Sequence, residues 1–180
     1  SGQWNEQGLL ICNEIHPARA KILSENVERM GIANAMVTNE TPQRLAEVFE
    51  EYFTRILVDA PCSGEGMFRK NEAACEEWST ENVKNCAERQ DGILYCAASM
   101  LAPGGRIVYS TCTFAPAENE GSMTRFLLRH PEFHIVEVKK AEGMSAGVPE
   151  WAYFEEEKGQ VLLEIAQTIR LWPQHLNGEG

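Results

Sequence analysis

Two cysteines and an aspartate stand directly after apolar segments, at positions where side chains often carry out chemistry. The string Asp-Ala-Pro-Cys-Ser-Gly-Glu-Gly occupies residues 59–66, and Ser-Thr-Cys-Thr occupies residues 110–113. If the preceding segments are neighbouring strands, Cys62 and Cys112 face one cleft together with the carboxylate of Asp59. A thiolate is a strong nucleophile, and covalent catalysis splits one difficult step into two easier ones. Taken alone, a Pro-Cys after a strand is more often a packed small apolar residue.

Methylation of cytosine at carbon 5 is a reaction that needs such a set of groups. Carbon 5 is too electron-poor to attack a methyl donor until a thiolate adds at carbon 6. A base must then remove the proton from carbon 5 so that the thiol can leave, and a second polar group can assist that elimination. An acid that hydrogen-bonds the ring nitrogen or the amine would stabilise the adduct, which is a natural role for Asp59.

The elements that must position these groups alternate between strand and helix. The pattern predicts strands at Leu9–Cys12, Ala35–Thr38, Ile56–Val58, Arg106–Tyr109, His134–Val138 and Thr168–Leu171. It predicts helices from Pro17 to a cap at Gly31, and over Pro42–Tyr52, Val83–Leu101 and Glu118–Arg129. Such apolar strands indicate an α/β fold with a parallel-type sheet and helices on both faces. Ligands of such sheets lie beyond the carboxyl ends of the strands, where Glu14, Asp59 and Cys112 fall.

The strings at 59–66 and 109–113 resemble motifs IV and VI of the Sun/nucleolar-protein family of S-adenosylmethionine-dependent RNA cytosine-5 methyltransferases. The likeness is greatest to the bacterial ribosomal-RNA branch. It covers nearly the whole chain through further strings, which are Asn13-Glu14, Met67-Phe68-Arg69-Lys70, residues 101–105 and residues 168–175. The resemblance implies a Rossmann-like class I methyltransferase sheet, S-adenosylmethionine as cofactor and ribosomal RNA as partner. The target cytosine must be single-stranded or flipped from its stack.

The resemblance also implies a role for each site residue. Cys112 would be the nucleophile and Cys62 would assist product release, the reverse of the order in DNA cytosine methyltransferases. Glu14 would hold the cofactor ribose, and Asp59 would lie between the cofactor and the target base. Read without the family, Glu14 can simply place negative charge near a helix N-terminus.

Arg69 and Lys70 are the cationic pair nearest to the predicted cleft. The resemblance implies that one of them touches RNA phosphate, although such a pair can also be part of a solvated loop. The acidic position that contacts adenine in the family falls near 39–41, where the sequence reads Asn-Glu-Thr and has no Asp. Trp151 and Trp172 could stack on bases, but they are interpreted as core or interface residues, since aromatic side chains most often supply packing area.

The family's Gly-rich cofactor loop, of the form Cys-Ala-Ala-Pro-Gly-Gly-Lys, has no counterpart in residues 1–180. We therefore expect these residues to be part of a catalytic domain that is truncated at both ends and lacks its first, central strand. A central strand supplies backbone donors for the cofactor. The chain by itself is accordingly expected to turn over little or nothing.

Composition limits the remaining possibilities. The net charge is −11, so RNA contacts need basic surface elsewhere. The six cysteines form no Cys-x-x-Cys pair, which indicates reduced thiols and no metal site. The sequence contains no apolar run of roughly 18 residues and no signal-peptide pattern, so we expect a cytoplasmic protein without a membrane span.

Two alternative functions stay open at this point. A DNA cytosine methyltransferase would use Cys62 as the attacking thiol, so separate substitution of each cysteine distinguishes it. A non-catalytic RNA-binding or assembly module is the alternative of a different class, and the absent Gly-rich loop motivates it. An enzyme that methylates an exocyclic amine would carry Asp-Pro-Pro-Tyr or Asn-Pro-Pro-Tyr in place of Asp-Ala-Pro-Cys.

Overall fold

The structure is a computed structural model that describes residues 8–68, 75–76, 78–152 and 162–175. It divides into two compact units, residues 1–50 and residues 51–180. In the described residues, no helix has the length and apolar character needed to cross a membrane.

The first unit contains two strand–helix pairs. Its elements are β1 (Leu10–Asn13), α1 (Pro17–Arg29), β2 (Ala35–Thr38) and α2 (Pro42–Val48). The two strands are parallel, in register from Leu10 opposite Ala35 to Asn13 opposite Thr38. Helix α1 has Pro17 in its first turn and is followed by Gly31 at φ +66°, the left-handed conformation that suits a helix C-terminus. These four elements occur where the sequence pattern predicts them.

Helix α2 is shorter than predicted. The hydroxyl of Thr41 accepts a hydrogen bond from the Arg44 N–H over 3.2 Å and caps the N-terminus. The helix ends at Val48 instead of Tyr52, because Phe49 leaves the helical region and Glu51 has φ +47°. The predicted bound at Tyr52 is therefore wrong.

The second unit is built around a parallel pair of longer strands. Its elements are β3 (Phe53–Asp59), α3 (Thr80–Met100), β4 (Leu101–Ser110), α4 (Glu120–Arg129), β5 (Met144–Ala146) and β6 (Ile169–Leu171). Helix α3 packs Ala97 against Val58 and Ala60 on one face of the β3–β4 pair. The opposite face presents Leu57, which is 73% exposed, and Val108, which is 52% exposed.

Two features of the second unit differ from the sequence prediction. His134–Val138 is not a strand: within the described residues it has no ladder partner, and the Ile135 N–H donates instead to a carboxylate oxygen of Glu164 over 2.9 Å. Of its apolar residues, only Ile135 packs against the cluster of Leu94, Phe126, Leu127 and Ile165, whereas Val136 and Val138 are exposed. The strand β5, which pairs antiparallel with β6, lies in a segment predicted to be a Gly-rich loop.

Candidate active site

The register of the β3–β4 pair brings the two cysteine-containing loops to one edge. Asp59, the last residue of β3, lies opposite Ser110, the last residue of β4. The chain then continues for three residues to Cys62 and for two residues to Cys112. Their Sγ atoms are 3.1 Å apart, and both cysteines are free thiols. The prediction that the two strands are neighbours and bring the two thiols together is confirmed.

The two thiols differ in their surroundings. Cys112 is exposed, whereas Cys62 is half-buried. Burial, together with the hydrogen bond to Cys112, raises the pKa of Cys62 to about 12. Cys62 therefore keeps its proton at neutral pH and can donate it in a hydrogen bond to the sulfur of Cys112. Only a thiolate is an effective nucleophile, so these surroundings disfavour Cys62 as the attacking residue.

A fully buried carboxylate fixes the loop that carries Cys62. Glu118 accepts a hydrogen bond from the Ser63 N–H over 3.0 Å and another from the Gln90 side-chain amide over 2.7 Å. The same amide donates to the Pro61 carbonyl over 3.0 Å, so residues on both sides of Cys62 are held. Burial raises the pKa of the Glu118 carboxyl. Glu118 and Gln90 are both 0% exposed, so solvent does not compete for the hydrogen bonds that hold this loop.

A second carboxylate holds the loop that carries Cys112. Glu65 accepts hydrogen bonds from the Phe114 N–H over 2.9 Å and from the Thr113 hydroxyl over 3.2 Å. The Gly66 N–H donates to the Cys112 carbonyl over 2.8 Å. A Cβ atom on Gly66 would lie 2.5 Å from that carbonyl oxygen, so the contact requires glycine. The 59–66 string thus shapes the loop of the second cysteine as well as its own.

The other predicted site residues occupy different parts of the chain. Asp59 is exposed at the end of β3. Glu14 follows β1 in the first unit, where its carboxylate accepts the His16 N–H over 2.9 Å and pairs with Arg19 over 2.8 Å. Arg69 and Lys70 lie outside the described residues.

Glu14 has the chemistry that a cofactor ribose requires. Its carboxylate can accept hydrogen bonds from hydroxyl groups, and its side chain is 15% exposed. The side-chain amide of Asn39 donates to the backbone carbonyls of Glu14 and Ile15, over 2.7 and 2.9 Å, and so fixes this strand end. Asn39 therefore organises the loop, which no spacing rule predicted. Among the described residues, no cluster of His, Cys, Asp or Glu is arranged to hold a metal ion.

Sequence reasoning missed the two supporting carboxylates and the buried amide. Glu65 lies within the 59–66 string, so the motif contained the signal, but the string alone does not indicate what the side chain contacts. Glu118 and Gln90 come from a short 3-10 helix (Pro116–Glu118) and from the middle of α3. Their pairing depends on how α3 packs against the loops, and no local pattern predicts it.

The arrangement defines a class of protein: an α/β domain of Rossmann-like type with a cysteine pair at the carboxyl edge of parallel strands. The family model described as 16S rRNA methyltransferase RsmB/F matches residues 3–180. The chain belongs to this family.

Similar proteins agree with this assignment. The chain is 41% identical over 128 residues to the ribosomal RNA small subunit methyltransferase F of Shewanella denitrificans, a match that covers 71% of the chain and 25% of that protein. The chain thus spans about a quarter of the length of this curated relative.

Solved structures show the same fold. A methyltransferase homolog protein from Pyrococcus horikoshii is similar with a TM-score of 0.77 and 25% identity, covering 96% of the chain and 51% of that structure. NSun6 from the same organism, solved with the S-adenosylmethionine analogue SFG, is similar with a TM-score of 0.60 and 27% identity, covering 79% of the chain and 34% of that structure. The predicted Rossmann-like methyltransferase class is confirmed.

Proposed function

We propose that the protein to which this chain belongs methylates carbon 5 of a cytosine in RNA through a covalent adduct with Cys112. The observation that carries the proposal is the pair of sulfur atoms 3.1 Å apart, of which Cys112 is exposed and Cys62 is half-buried. An exposed thiol can reach a base that has left its stack, and a half-buried, protonated thiol beside it can donate a hydrogen bond to the sulfur of the first.

In the first step, the Cys112 thiolate adds to carbon 6 of the cytosine. The C5–C6 double bond is consumed, and its electron pair makes carbon 5 a nucleophile. Asp59, exposed at the strand end, would hydrogen-bond the ring nitrogen or amine of the base and stabilise the adduct. Glu65 and Gly66 keep the Cys112 loop in place by their bonds to the backbone of Phe114 and Cys112.

In the last step, a base removes the proton from carbon 5 of the methylated adduct. The electron pair of that C–H bond re-forms the C5–C6 double bond, and the bond between carbon 6 and Cys112 breaks. The departing sulfur takes the electron pair of that bond. The S–H group of Cys62, 3.1 Å away, then donates a hydrogen bond to this sulfur and stabilises it. This is the assistance to product release that we assign to Cys62.

S-adenosylmethionine would supply the methyl group. Glu14 would hold its ribose through the carboxylate at the end of β1, and Asp59 would lie between it and the target base. Glu14 is already engaged by Arg19, whose side chain is 69% exposed and free to move towards solvent when a hydroxyl takes its place. We further propose that residues 1–180 form part of a single catalytic domain, which the match of the family model to residues 3–180 supports.

The proposed substrate is single-stranded or looped ribosomal RNA in the cytoplasm. The name of the Shewanella relative, ribosomal RNA small subunit methyltransferase F, supports this choice. Because the chain carries a net charge of −11, we propose that Arg69 or Lys70, together with basic residues outside residues 1–180, contacts the phosphates.

Mapping of transferred methyl groups tests the proposal. The full-length protein would be incubated with unmethylated small-subunit ribosomal RNA and S-adenosylmethionine that carries a labelled methyl group, and the RNA would then be digested to nucleosides. The label is expected in 5-methylcytidine, and Cys112→Ala is expected to abolish it. Label in N4-methylcytidine, or undiminished 5-methylcytidine with Cys112→Ala, would refute the proposed chemistry.

A further inference from the structure

A cleft lined by aromatic side chains adjoins the Cys112 loop. It is an open cleft of about 690 Å³, and its walls include Trp78, Phe114, Trp151 and Trp172, with Glu65 and Glu150. Trp78 and Trp151 are 38% and 41% exposed, so their rings are only partly covered by the protein. The sequence interpretation of Trp151 as a packing residue accounts for only part of its surface.

The cleft is connected to the active site by the chain itself and by hydrogen bonds. Phe114 follows Cys112 by two residues, so their Cα atoms are at most about 7.6 Å apart. Glu65 accepts hydrogen bonds from the Phe114 N–H over 2.9 Å and from the Trp78 indole N–H over 2.9 Å. One wall of the cleft therefore begins two residues after the proposed nucleophile, on a loop that the same Glu65 carboxylate holds.

The cleft has the chemistry of a site for a nucleobase. Aromatic faces stack on bases of any sequence, and Phe114 already stacks on Trp172 with ring centroids 5.3 Å apart. Among the residues that the structure describes, the charged side chains of the lining are the two glutamates, which disfavour a phosphate inside. Glu65 is engaged by three donors, whereas Glu150 is exposed and can accept a hydrogen bond from the exocyclic amine of a base.

A cationic partner fits the cleft less well than a base does. The guanidinium of Arg170 already lies over the rings of Trp151 and Trp172, 4.9 and 5.2 Å from their centroids. This cation already occupies one face of each indole, and a second cation nearby would be repelled by it. A neutral base can stack on the remaining surface without opposing Arg170.

We propose that this aromatic cleft binds the nucleobase adjacent to the target cytosine, preferring bases with an exocyclic amine, namely adenine, guanine or cytosine, over uracil. The proposal rests on the RNA methylation proposed above, and it adds a contact that selects the sequence around the target. Trp151 is the residue expected to contribute most of the stacking.

The test uses the full-length protein and short single-stranded oligoribonucleotides with 5-fluorocytidine at the centre. Each position beside the centre is in turn adenosine, guanosine, cytidine, uridine or an abasic nucleotide, and both Kd and the yield of covalent adduct are measured. In the wild type, the abasic nucleotide at one adjacent position is expected to weaken binding by about 5- to 150-fold, the range of base–aromatic stacking. Uridine there should also bind more weakly than the three amine-bearing bases.

Variants link the effect to the cleft. Trp151→Ala is expected to weaken the binding of the intact oligonucleotide by the same factor as the abasic nucleotide does in the wild type. It should weaken the binding of the abasic oligonucleotide little further, because the substitution and the missing base remove the same contact. Trp151→Phe should keep most of the affinity. Tyr95→Ala is the matched control, since Tyr95 is an exposed aromatic residue of α3 outside the cleft, and it should leave Kd unchanged.

The outcomes separate this proposal from the function on which it rests. Equal affinity for intact and abasic oligonucleotides in the wild type overturns the cleft proposal without any variant, even if Trp151→Ala does not fold. The proposal is also overturned if the affinity losses from Trp151→Ala and from the abasic nucleotide multiply when the two changes are combined. It is overturned as well if Trp151→Ala leaves RNA binding unchanged but abolishes binding of an arginine-rich peptide. Absence of a Cys112-dependent adduct, with the abasic effect intact, overturns the methylation chemistry but supports the base-binding cleft.

Discussion

The backbone N–H of Gly66 donates to the carbonyl oxygen of Cys112 over 2.8 Å, and the two loops approach so closely that no side chain fits between them. The Cys112 loop therefore depends on a residue from the loop that carries the other thiol. This dependence couples the two cysteine motifs in space, although 50 residues separate Cys62 from Cys112 in sequence.

Gly66→Ala should displace the Cys112 loop. The added Cβ would meet the Cys112 carbonyl oxygen at 2.5 Å and its carbonyl carbon at 3.3 Å. We expect a loss of about 1–3 kcal/mol in stability, as for other overpacked sites, and a larger proportional loss of adduct formation. Gly92→Ala is the control. Gly92 lies in α3, and a Cβ atom added there meets nothing within 4 Å. It should stabilise the protein by about 0.5–1 kcal/mol and leave adduct formation unchanged.

Cys62→Ala should trap the enzyme on ordinary RNA. Without the S–H group 3.1 Å from the Cys112 sulfur, the departing thiolate loses its hydrogen bond, so release slows more than attack. A protein–RNA adduct should accumulate with cytidine that carries no fluorine, as seen by denaturing gel electrophoresis. Cys96→Ala, which removes a buried thiol of α3 outside the site, should give no such adduct. An adduct level no higher in Cys62→Ala than in wild type would contradict the assigned role.

Glu118 provides a prediction about pH. Burial raises the pKa of its carboxyl above the ordinary value of 4.5. At a pH between 4.5, the pKa in the unfolded chain, and the raised pKa in the folded protein, the unfolded chain has lost a proton that the folded protein keeps. The free energy of unfolding therefore falls as the pH rises from the first pKa to the second. Glu118→Gln does not titrate. The free energy of unfolding of the wild type should therefore decrease relative to that of Glu118→Gln as the pH rises above 4.5, in urea titrations at a series of pH values.

The same residue supplies a prediction about position. Glu118→Ala removes the acceptor of the Ser63 N–H and the Gln90 amide, and each unsatisfied buried donor costs about 1–3 kcal/mol. Hydrogen exchange at Ser63 should accelerate, and adduct formation should fall. Glu118→Gln keeps one carbonyl oxygen that can accept both bonds and should retain most of the adduct. An equal loss of adduct formation in Glu118→Ala and Glu118→Gln would show that the loop depends on the charge of Glu118 and not on its hydrogen-bond acceptor.

Breaking the buried Arg170–Glu120 pair should cost more stability than breaking an exposed pair. Arg170 is 7% exposed, bonds Glu120 through two nitrogens and donates to the Phe114 carbonyl over 3.0 Å. Arg170→Met leaves the Glu120 carboxylate buried without its partner, so we expect a loss of about 3–5 kcal/mol in denaturant unfolding. Arg44→Met, which breaks an exposed pair with Glu47, should cost at most about 1 kcal/mol. Similar losses in both variants would contradict the packing described.

The sequence predicted the cysteine pair because two simple rules meet there. Apolar strands that alternate with helices pair in parallel, and parallel strands end at one edge, so Cys62 and Cys112 had to lie near each other. It could not predict Glu118 beneath them, because a buried carboxylate finds its donors through the packing of α3 on the loops. The strand predicted at His134–Val138 was wrong because β-branched residues also occur in extended segments without a ladder partner, and here only Ile135 packs on the core. The three-residue strand β5 was too short to leave a pattern.

The most direct measurement of the central claim is mass spectrometry of the full-length protein after reaction with RNA that carries 5-fluorocytidine. Fluorine at carbon 5 blocks the loss of the proton, so the adduct persists after methyl transfer. We predict a protein–RNA species with the mass of one methylated cross-link in the wild type, attached at Cys112 and absent in Cys112→Ala. A species that survives Cys112→Ala and disappears in Cys62→Ala would contradict the account and reverse the two cysteine roles.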